Sequence, residues 1–199
     1  THPYLVKLDS AGNKLWDTIY YQYGPPYYAS VRYLLPTTDG NYYALISNQS
    51  NYYYSDIVLL KIDEYGTILK QVVISYGHKE DSSSISLTND GGVIIGARSS
   101  DNFASPTQVY GLVIKLDSNL VEQWHKDAPQ FYKIGISGSV VQTPDGGYLA
   151  TGGNIANGNV DVEIVKYNAG GGVKWVRHYG SPTQDDGIFD MIPTADGGY

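Results

Sequence analysis

Two pairs of adjacent carboxylates are the residues of this sequence that could most directly do chemistry. They are Glu80-Asp81 and Asp185-Asp186, and each pair follows closely after a Tyr-Gly dipeptide. Paired carboxylates can give several oxygen ligands to Ca²⁺, or can act as general acid and base. Neither pair has the spacing of an EF-hand loop. Solvated loop charge is therefore the favoured interpretation, with calcium binding as the alternative.

Tyrosine is the second candidate for a functional residue. The chain has 20 tyrosines, 12 of them within the first 54 residues. A tyrosine ring is a large, rigid, amphipathic surface that suits a sugar ring or a protein partner. The run Tyr52, Tyr53 and Tyr54 falls in a predicted polar loop and could bind such a partner, although tyrosines in strands would simply pack. Beside it, Asn48-Gln49-Ser50 is a possible glycosylation sequon.

Composition excludes several functional classes. Without cysteine there is no disulfide, thiolate zinc site, iron–sulfur cluster or thiol nucleophile. The four histidines lack metal-ligand spacing, and no serine lies in a Gly-x-Ser-x-Gly elbow, so neither a zinc site nor a catalytic residue is predicted. A net charge of -7 argues against a nucleic-acid partner. No segment approaches the roughly 18 consecutive apolar residues of a membrane span.

A pattern that recurs four times organises the chain, and its first marker is an apolar-Lys-apolar-Asp segment. The lysines are 54, 54 and 51 residues apart, and in three copies a tryptophan stands seven residues after the acidic position. The second copy has Lys70 at the tryptophan position, and the fourth has Asn168 in place of aspartate. The marker residues are Lys7, Asp9, Trp16, Lys61, Asp63, Lys115, Asp117, Trp124, Lys166 and Trp175.

The repeated lysine and aspartate are two residues apart on a predicted strand, so their side chains share one face. Four lysines arranged this way could form a functional patch. A structural role is favoured instead, in which each pair, such as Lys7 and Asp9, forms an ion pair or the aspartate caps the next turn.

The second marker is an Asp-Gly turn that follows each apolar stretch, with spacings of 51, 55 and 51 residues. Asp-Gly between two strand-like runs is a strong hairpin signal, because glycine adopts positive φ at little cost. Four hairpins are predicted, at Asp39-Gly40, Asp90-Gly91, Asp145-Gly146 and Asp196-Gly197.

Between the markers the chain is predicted to form short strands. In the first full repeat these are roughly 30–35, 42–47, 57–62 and 69–74, and no window sustains the apolar spacing of a helix. Four antiparallel strands in about fifty residues, repeated, predict an all-β fold, a β-propeller of four-stranded blades. A β-solenoid or a row of sandwiches is the alternative.

The segment Val6-Lys7-Leu8-Asp9-Ser10-Ala11-Gly12-Asn13-Lys14-Leu15-Trp16 with its later Asp-Gly turn resembles the blade repeat of quinoprotein-like propellers. It also resembles repeat propellers in secreted or surface proteins of archaea and bacteria. The resemblance extends in register along the chain and implies that Trp16, Trp124 and Trp175 pack between blades. No cofactor-stacking tryptophan or calcium-ligating set of the enzymes can be matched, so the surface-protein version fits better.

About four blade-equivalents are predicted: a half blade at 1–24, full units at 25–77, 78–128 and 129–180, and a half blade at 181–199. Because open sheet edges and apolar faces are costly, we expect a part of a larger propeller, with closure as four blades the alternative.

The leading functional hypothesis is a non-catalytic extracellular or cell-surface module that acts as scaffold or binds a protein or carbohydrate. A fragment of a propeller enzyme, either a quinoprotein-like dehydrogenase or a glycosidase, is one alternative. A subunit of a surface lattice or filament is another. No cofactor is predicted apart from calcium at the carboxylate pairs.

Overall fold

The computed structural model describes residues 2–23, 28–49, 54–101, 109–128, 133–135, 138–156 and 158–199. The chain divides into two compact units, Thr1–Ser82 and Ser83–Tyr199. The described residues form strands and turns without a helix, which confirms the all-β prediction. Accordingly, this part of the chain contains no helix of the length and apolarity that a membrane span requires.

The first unit contains a two-stranded hairpin followed by a four-stranded sheet. The hairpin pairs β1 (Tyr4–Leu8) with β2 (Lys14–Ile19). The sheet is an antiparallel meander in which each strand pairs with the next one along the chain. Its strands are β3 (Ala29–Pro36), β4 (Tyr42–Gln49), β5 (Ser55–Ile62) and β6 (Ile68–Ile74).

The central strands of this sheet are buried on both faces. In β5, the four consecutive residues Ile57 to Leu60 are fully buried although neighbours along a strand point to opposite faces. Ala44, Leu45 and Ile46 of β4 are buried in the same way. Burial on both faces explains the nearly continuous apolar runs of the sequence, since a one-sided sheet would alternate apolar and polar residues.

Strand β7 (Lys79–Leu87) crosses the boundary between the units, and the second unit continues with two further antiparallel groups. In the first group β8 pairs with β9 and β9 with β10; in the second, β13 pairs with β11, β12 and β14, and β14 with β15. These strands are β8 (Val93–Ser100), β9 (Val109–Leu116), β10 (Glu122–Ala128), β11 (Lys133–Gly135), β12 (Val140–Gln142), β13 (Tyr148–Ala156), β14 (Asn159–Tyr167) and β15 (Val173–Tyr179).

The Asp-Gly turns have the predicted backbone conformation. Their glycines have φ of 81°, 79°, 77° and 85° at Gly40, Gly91, Gly146 and Gly197. The first three turns join paired or adjacent strands, whereas the residues around the fourth form the turn without flanking strands. The prediction of four hairpins is therefore correct for three. A closed ring of sheets is not seen in the described residues, and the propeller remains a prediction.

Candidate functional site

The repeated lysine forms its ion pair with the aspartate of the Asp-Gly turn. The Lys61 Nζ to Asp39 Oδ2 distance is 2.7 Å, and the equivalent pairs are Lys115 with Asp90 at 2.8 Å and Lys166 with Asp145 at 2.6 Å. The expected pair between the lysine and the aspartate two residues later is not the one formed. Partners more than twenty residues apart are joined because strand pairing brings the lysine-bearing strand next to the turn.

A threonine completes each of these turns, and the sequence search missed it. Thr88 Oγ1 donates to Asp90 Oδ1 at 2.5 Å, and the backbone N–H of Gly92 donates to the same oxygen at 3.0 Å. The signal was present, because threonine stands two residues before every Asp-Gly aspartate. These threonines are Thr37, Thr88, Thr143 and Thr194.

The hydrogen bonds of these turns favour ionised aspartate. Desolvation opposes ionisation of Asp90, but donation from Lys115 and Thr88 outweighs it and lowers the pKa of Asp90 to about 2. Donation from Lys61 and Thr37 lowers the pKa of Asp39, and donation from Lys166 and Thr143 lowers that of Asp145. Each carboxylate thus serves as a structural anion that holds the turn to a strand.

The aspartate two residues after each repeated lysine caps the next turn. This was the alternative to the ion pair in the structural prediction from sequence. Asp63 Oδ1 accepts backbone N–H groups of Tyr65 at 2.9 Å and Thr67 at 2.8 Å, which is an Asx turn. Asp9 and Asp117 accept the equivalent pairs. Asn168 Oδ1 does the same at 3.0 and 2.9 Å, so the amide preserves the contact.

Two of the tryptophans lie on the glycine of such an Asx turn in the next sheet. Trp16 of β2 donates from Nε1 to the Glu64 carbonyl at 2.7 Å, and a Cβ added to Gly66 would lie 2.9 Å from its Cζ3 atom. In the second unit, a Cβ added to Gly171 would lie 3.0 Å from Trp124 Cε3. Gly66 and Gly171 also have positive φ, of 83° and 81°, so the contact between sheets and the backbone conformation both favour glycine at the fourth position of these turns.

A tyrosine at the start of a strand adds to each contact. The Trp124 and Tyr148 rings meet edge to face at 5.6 Å. In the first unit, Trp16 and Tyr42 line a small apolar crevice of about 80 Å³. Trp175 occupies the equivalent place in β15, where it is 38% exposed and lines a groove of about 290 Å³ with Tyr199 and Leu149.

The first carboxylate pair does not lie in a solvated loop. Glu80 is in β7 and fully buried, so the expectation of solvated charge is wrong for this residue. Desolvation raises the pKa of Glu80 to about 7, and its Oε2 has no hydrogen-bond partner among the described residues. Asp81 Oδ2 lies 3.5 Å from Lys79 Nζ. The two neighbouring carboxyls therefore point to different environments.

In the second carboxylate pair, Asp185 bonds to strand β14 and Asp186 bonds within its own turn. Asp185 Oδ1 accepts the backbone N–H of Val160 at 2.8 Å, and Asp186 Oδ2 accepts that of Ser181 at 2.6 Å. No group of three or more acidic, histidine or cysteine side chains in the described ranges has metal-binding geometry. Calcium binding at either pair stays a prediction.

A buried acidic residue that the sequence did not single out lies on β14. The Glu163 side chain is 1% exposed, and its Oε2 is 2.9 Å from Asn154 Nδ2 and 3.2 Å from His178 Nδ1. Burial raises the pKa of Glu163. Nothing in the repeat pattern marks this position, because Leu112 and Val58 occupy it in the preceding copies.

The predicted tyrosine loop is only partly described. Tyr52 and Tyr53 lie outside the described residues, while Tyr54 is 46% exposed. Asn48 of the sequon was predicted in a loop, but it lies within β4, where its backbone pairs with Ala29 and Asp56. Its Oδ1 is buried, which makes the strand position a poor one for a glycan.

Comparison with known proteins gives no family for this chain: no family model matches it, and no curated protein is found to be similar. The interpretation of its function therefore depends on the repeat and its contacts.

Proposed function

We propose that the chain is a run of β-propeller blades that serves as a non-catalytic scaffold with a binding surface for a protein or carbohydrate. The observation that carries this proposal is that the repeated tryptophan packs on the turn glycine of the next sheet, at Trp16 with Gly66 and at Trp124 with Gly171. Four-stranded antiparallel meanders that pack face to face in sequence order are the units of a propeller.

The use of the repeated polar residues also favours a scaffold. Lys61, Lys115 and Lys166 neutralise turn aspartates, and the Asx residues cap turns. Groups engaged in this way stabilise the sheets and are not offered to a substrate. A binding function would then reside in loops, which vary between repeats while the sheets stay constant.

The tyrosine-rich loop is our candidate for that binding surface, and an extracellular or cell-surface location suits such a module. The test is a screen of the full chain against glycan and protein arrays, followed by comparison of a variant with serine at positions 52 to 54. Tyr65→Ser is the matched control, because Tyr65 is 68% exposed but lies in an Asx turn.

We expect the triple variant to lose at least about tenfold in affinity, as for removal of aromatic anchors, and the control to bind normally. Equal binding by all three proteins would exclude the tyrosine loop. Turnover of a sugar or alcohol substrate would instead favour the propeller-enzyme alternative, for which Glu80 is a candidate acid–base residue because burial raises its pKa to about 7.

A further inference from the structure

Three polar residues lie side by side across neighbouring strands of the first unit. Asn48 of β4 pairs directly with Asp56 of β5. Asp56 is also next to Glu80 of β7, because the residues just before these two pair in parallel. Besides desolvation, the charge of Asp56 raises the pKa of Glu80, as expected for neighbours. Residues paired across strands share one face of a sheet, so the three side chains form one row, the first polar set.

Two oxygens of the first polar set are buried without a hydrogen-bond donor among the described residues. They are Asn48 Oδ1 and Glu80 Oε2, and Glu80 as a whole has no exposed surface. A buried acceptor that receives no hydrogen bond is costly. Because amide and carboxylate oxygens only accept, a ligand that satisfies them must carry donors or positive charge.

The same residue types recur at the same repeat positions in the second unit. In both sets the asparagine stands nine residues after an Asp-Gly aspartate, the aspartate five before the repeated lysine, and the other acidic residue ten before the next Asp-Gly aspartate. The second polar set is Asn154, Asp161 and Asp186. In the repeat between the two sets, these positions hold Ser99, Tyr110 and Gly135. All three residues thus change together, as expected if they serve one ligand.

Strand pairing assembles the second polar set as it assembles the first. Asn154 of β13 pairs with Asp161 of β14. The N–H of Asp186 donates at 2.7 Å to the carbonyl of Val160, the residue just before Asp161. Asp161 Oδ1 is buried and has no partner in the described part of the chain. A Cβ added to Gly180 would meet both Asp161 Oδ1 and Asp186 Oδ2, so these two carboxylates face the same small space.

Each polar set combines two carboxylates with one amide. Ca²⁺ takes about six to eight such oxygens in flexible geometry and can complete its shell with waters and backbone carbonyls, whereas Mg²⁺ demands a near-ideal octahedron. We infer that each polar set binds one Ca²⁺ ion. The inference goes beyond the proposed scaffold and does not depend on the blade architecture, because each set is formed by strand pairing within one unit.

These sites differ from the adjacent carboxylate pairs considered in the sequence. Asp81 lies 3.5 Å from Lys79 Nζ, and Asp185 accepts the N–H of Val160. Each site therefore takes one carboxyl of a pair and combines it with an asparagine and an aspartate from two other strands. The raised pKa of Glu80 belongs to the cation-free chain, because a bound Ca²⁺ favours ionised carboxylates.

The experiment is calorimetric titration of CaCl₂ into the full chain after a chelator has removed bound metal. We expect the wild-type chain to bind two ions with a Kd on the order of 10⁻⁴ M. Asp56→Asn combined with Glu80→Gln should abolish one site, and Asp161→Asn combined with Asp186→Asn should abolish the other. The ion that each double variant retains shows that the variant is folded.

The matched control removes two carboxylates outside both sets. Asp17→Asn combined with Asp127→Asn changes the net charge equally at exposed strand positions, and it should bind two ions. If a double variant does not fold, Asn48→Ser and Asn154→Ser decide the question with the serine that the intermediate repeat carries as Ser99. Each should weaken its own site by at least about tenfold.

A wild-type chain that binds no Ca²⁺ would overturn the inference, as would double variants that still bind two ions or a control that loses one. Binding that excess Mg²⁺ abolishes would overturn the assignment to Ca²⁺. A single bound ion that only one double variant removes would overturn the site at the other polar set.

Discussion

The ion pair of Lys115 with Asp90 differs from its equivalents in how completely the lysine is buried. The Lys115 side chain is 2% exposed, whereas Lys61, which pairs with Asp39, is 24% exposed. Removing the partner of a buried charge leaves that charge without solvent or counter-ion, which is costly. With asparagine at position 90, Lys115 Nζ would keep its bond to the Leu116 carbonyl and could donate to the amide oxygen, but it would lose the carboxylate as its counter-ion.

We therefore predict that Asp90→Asn lowers the free energy of unfolding by about 3 kcal/mol and that Asp39→Asn lowers it by about 1 kcal/mol. Urea denaturation of both variants checks this difference. Equal losses would mean that the depth of the lysine does not determine the strength of the pair.

The Asx turns offer a second comparison between single residues. Asp63→Ala removes the acceptor of two backbone N–H groups, and we expect it to lower the unfolding midpoint. Asp63→Asn should lower that midpoint less, because Asn168 makes the same two bonds in the fourth copy. Thermal unfolding of the two variants distinguishes hydrogen bonding from charge. If asparagine is as damaging as alanine, the negative charge is what stabilises the turn.

At the scale of the elements, the packing of the tryptophan on the next turn can be isolated by a double-mutant cycle. Gly66→Leu alone would force a side chain against the Trp16 indole, and Trp16→Lys alone would remove the indole and its hydrogen bond. We predict that each single variant loses about 2 to 4 kcal/mol of stability. The double variant should lose less than the sum.

The expected coupling is about 1 to 3 kcal/mol, the range found for residues in direct contact. The sequence provides the precedent, since the copy after Lys70 carries Leu120 where the others carry glycine. Urea denaturation of the four proteins of the cycle measures the coupling. If the loss of the double variant equals the sum of the two single losses, the Trp16 indole and the residue at position 66 do not interact energetically. Gly40→Leu combined with Trp16→Lys is the control pair and should be additive.

The elements that the sequence predicted well are those fixed by local chemistry. An Asp-Gly turn needs only a residue tolerant of positive φ between two apolar runs, so Gly40, Gly91 and Gly146 could be placed without any tertiary information. The strand limits predicted for 30–74 likewise lie within a few residues of β3 to β6. Antiparallel pairing of consecutive strands then follows from short connections.

Contacts between residues distant in sequence could not be predicted in this way. The partner of Lys61 is 22 residues away and that of the Trp16 indole nitrogen is 48 residues away, so choosing them requires the register of strands and the packing of sheets. The burial of Glu80 was missed for the same reason. Its neighbours in sequence are charged, and only the fold shows that its side chain points inward.

At the scale of the whole molecule, two classes of carboxyl make opposite contributions to stability as pH changes. Glu80 has a folded-state pKa of about 7, raised from 4.5 by desolvation. Its contribution is fully present below about pH 4.5 and is lost as pH rises through 7. Asp90 is lowered from 3.8 to about 2, so its contribution is present above about pH 4 and is lost as pH falls toward 2.

Because the Glu80 contribution is lost above this range and the Asp90 contribution below it, the chain should be most stable near pH 4 to 5. The usual range of maximum stability is about pH 5 to 8. Glu163 reinforces the decline on the basic side, because burial raises its pKa as well. Asp39 and Asp145 reinforce the decline on the acidic side, because lysine donors lower theirs. We therefore predict a bell-shaped curve of unfolding free energy against pH, measured by urea denaturation from about pH 2 to 8.

Glu80→Gln tests the basic side of this curve, because glutamine keeps the shape of the side chain but does not titrate. A pKa raised from 4.5 to about 7 corresponds to about 3 kcal/mol lost between acidic and neutral pH. Between acidic and neutral pH, the unfolding free energy of the variant should therefore fall by about 3 kcal/mol less than that of the wild type. This holds even if the buried amide lowers stability by a constant amount at every pH. Asp81→Asn removes the neighbouring, partly exposed carboxyl beside Lys79 and is the matched control for changing the charge of this strand. An unchanged slope in Glu80→Gln would mean that the Glu80 carboxyl ionises at its ordinary pKa in the folded chain, and that burial on both faces of the sheets does not extend to this side chain.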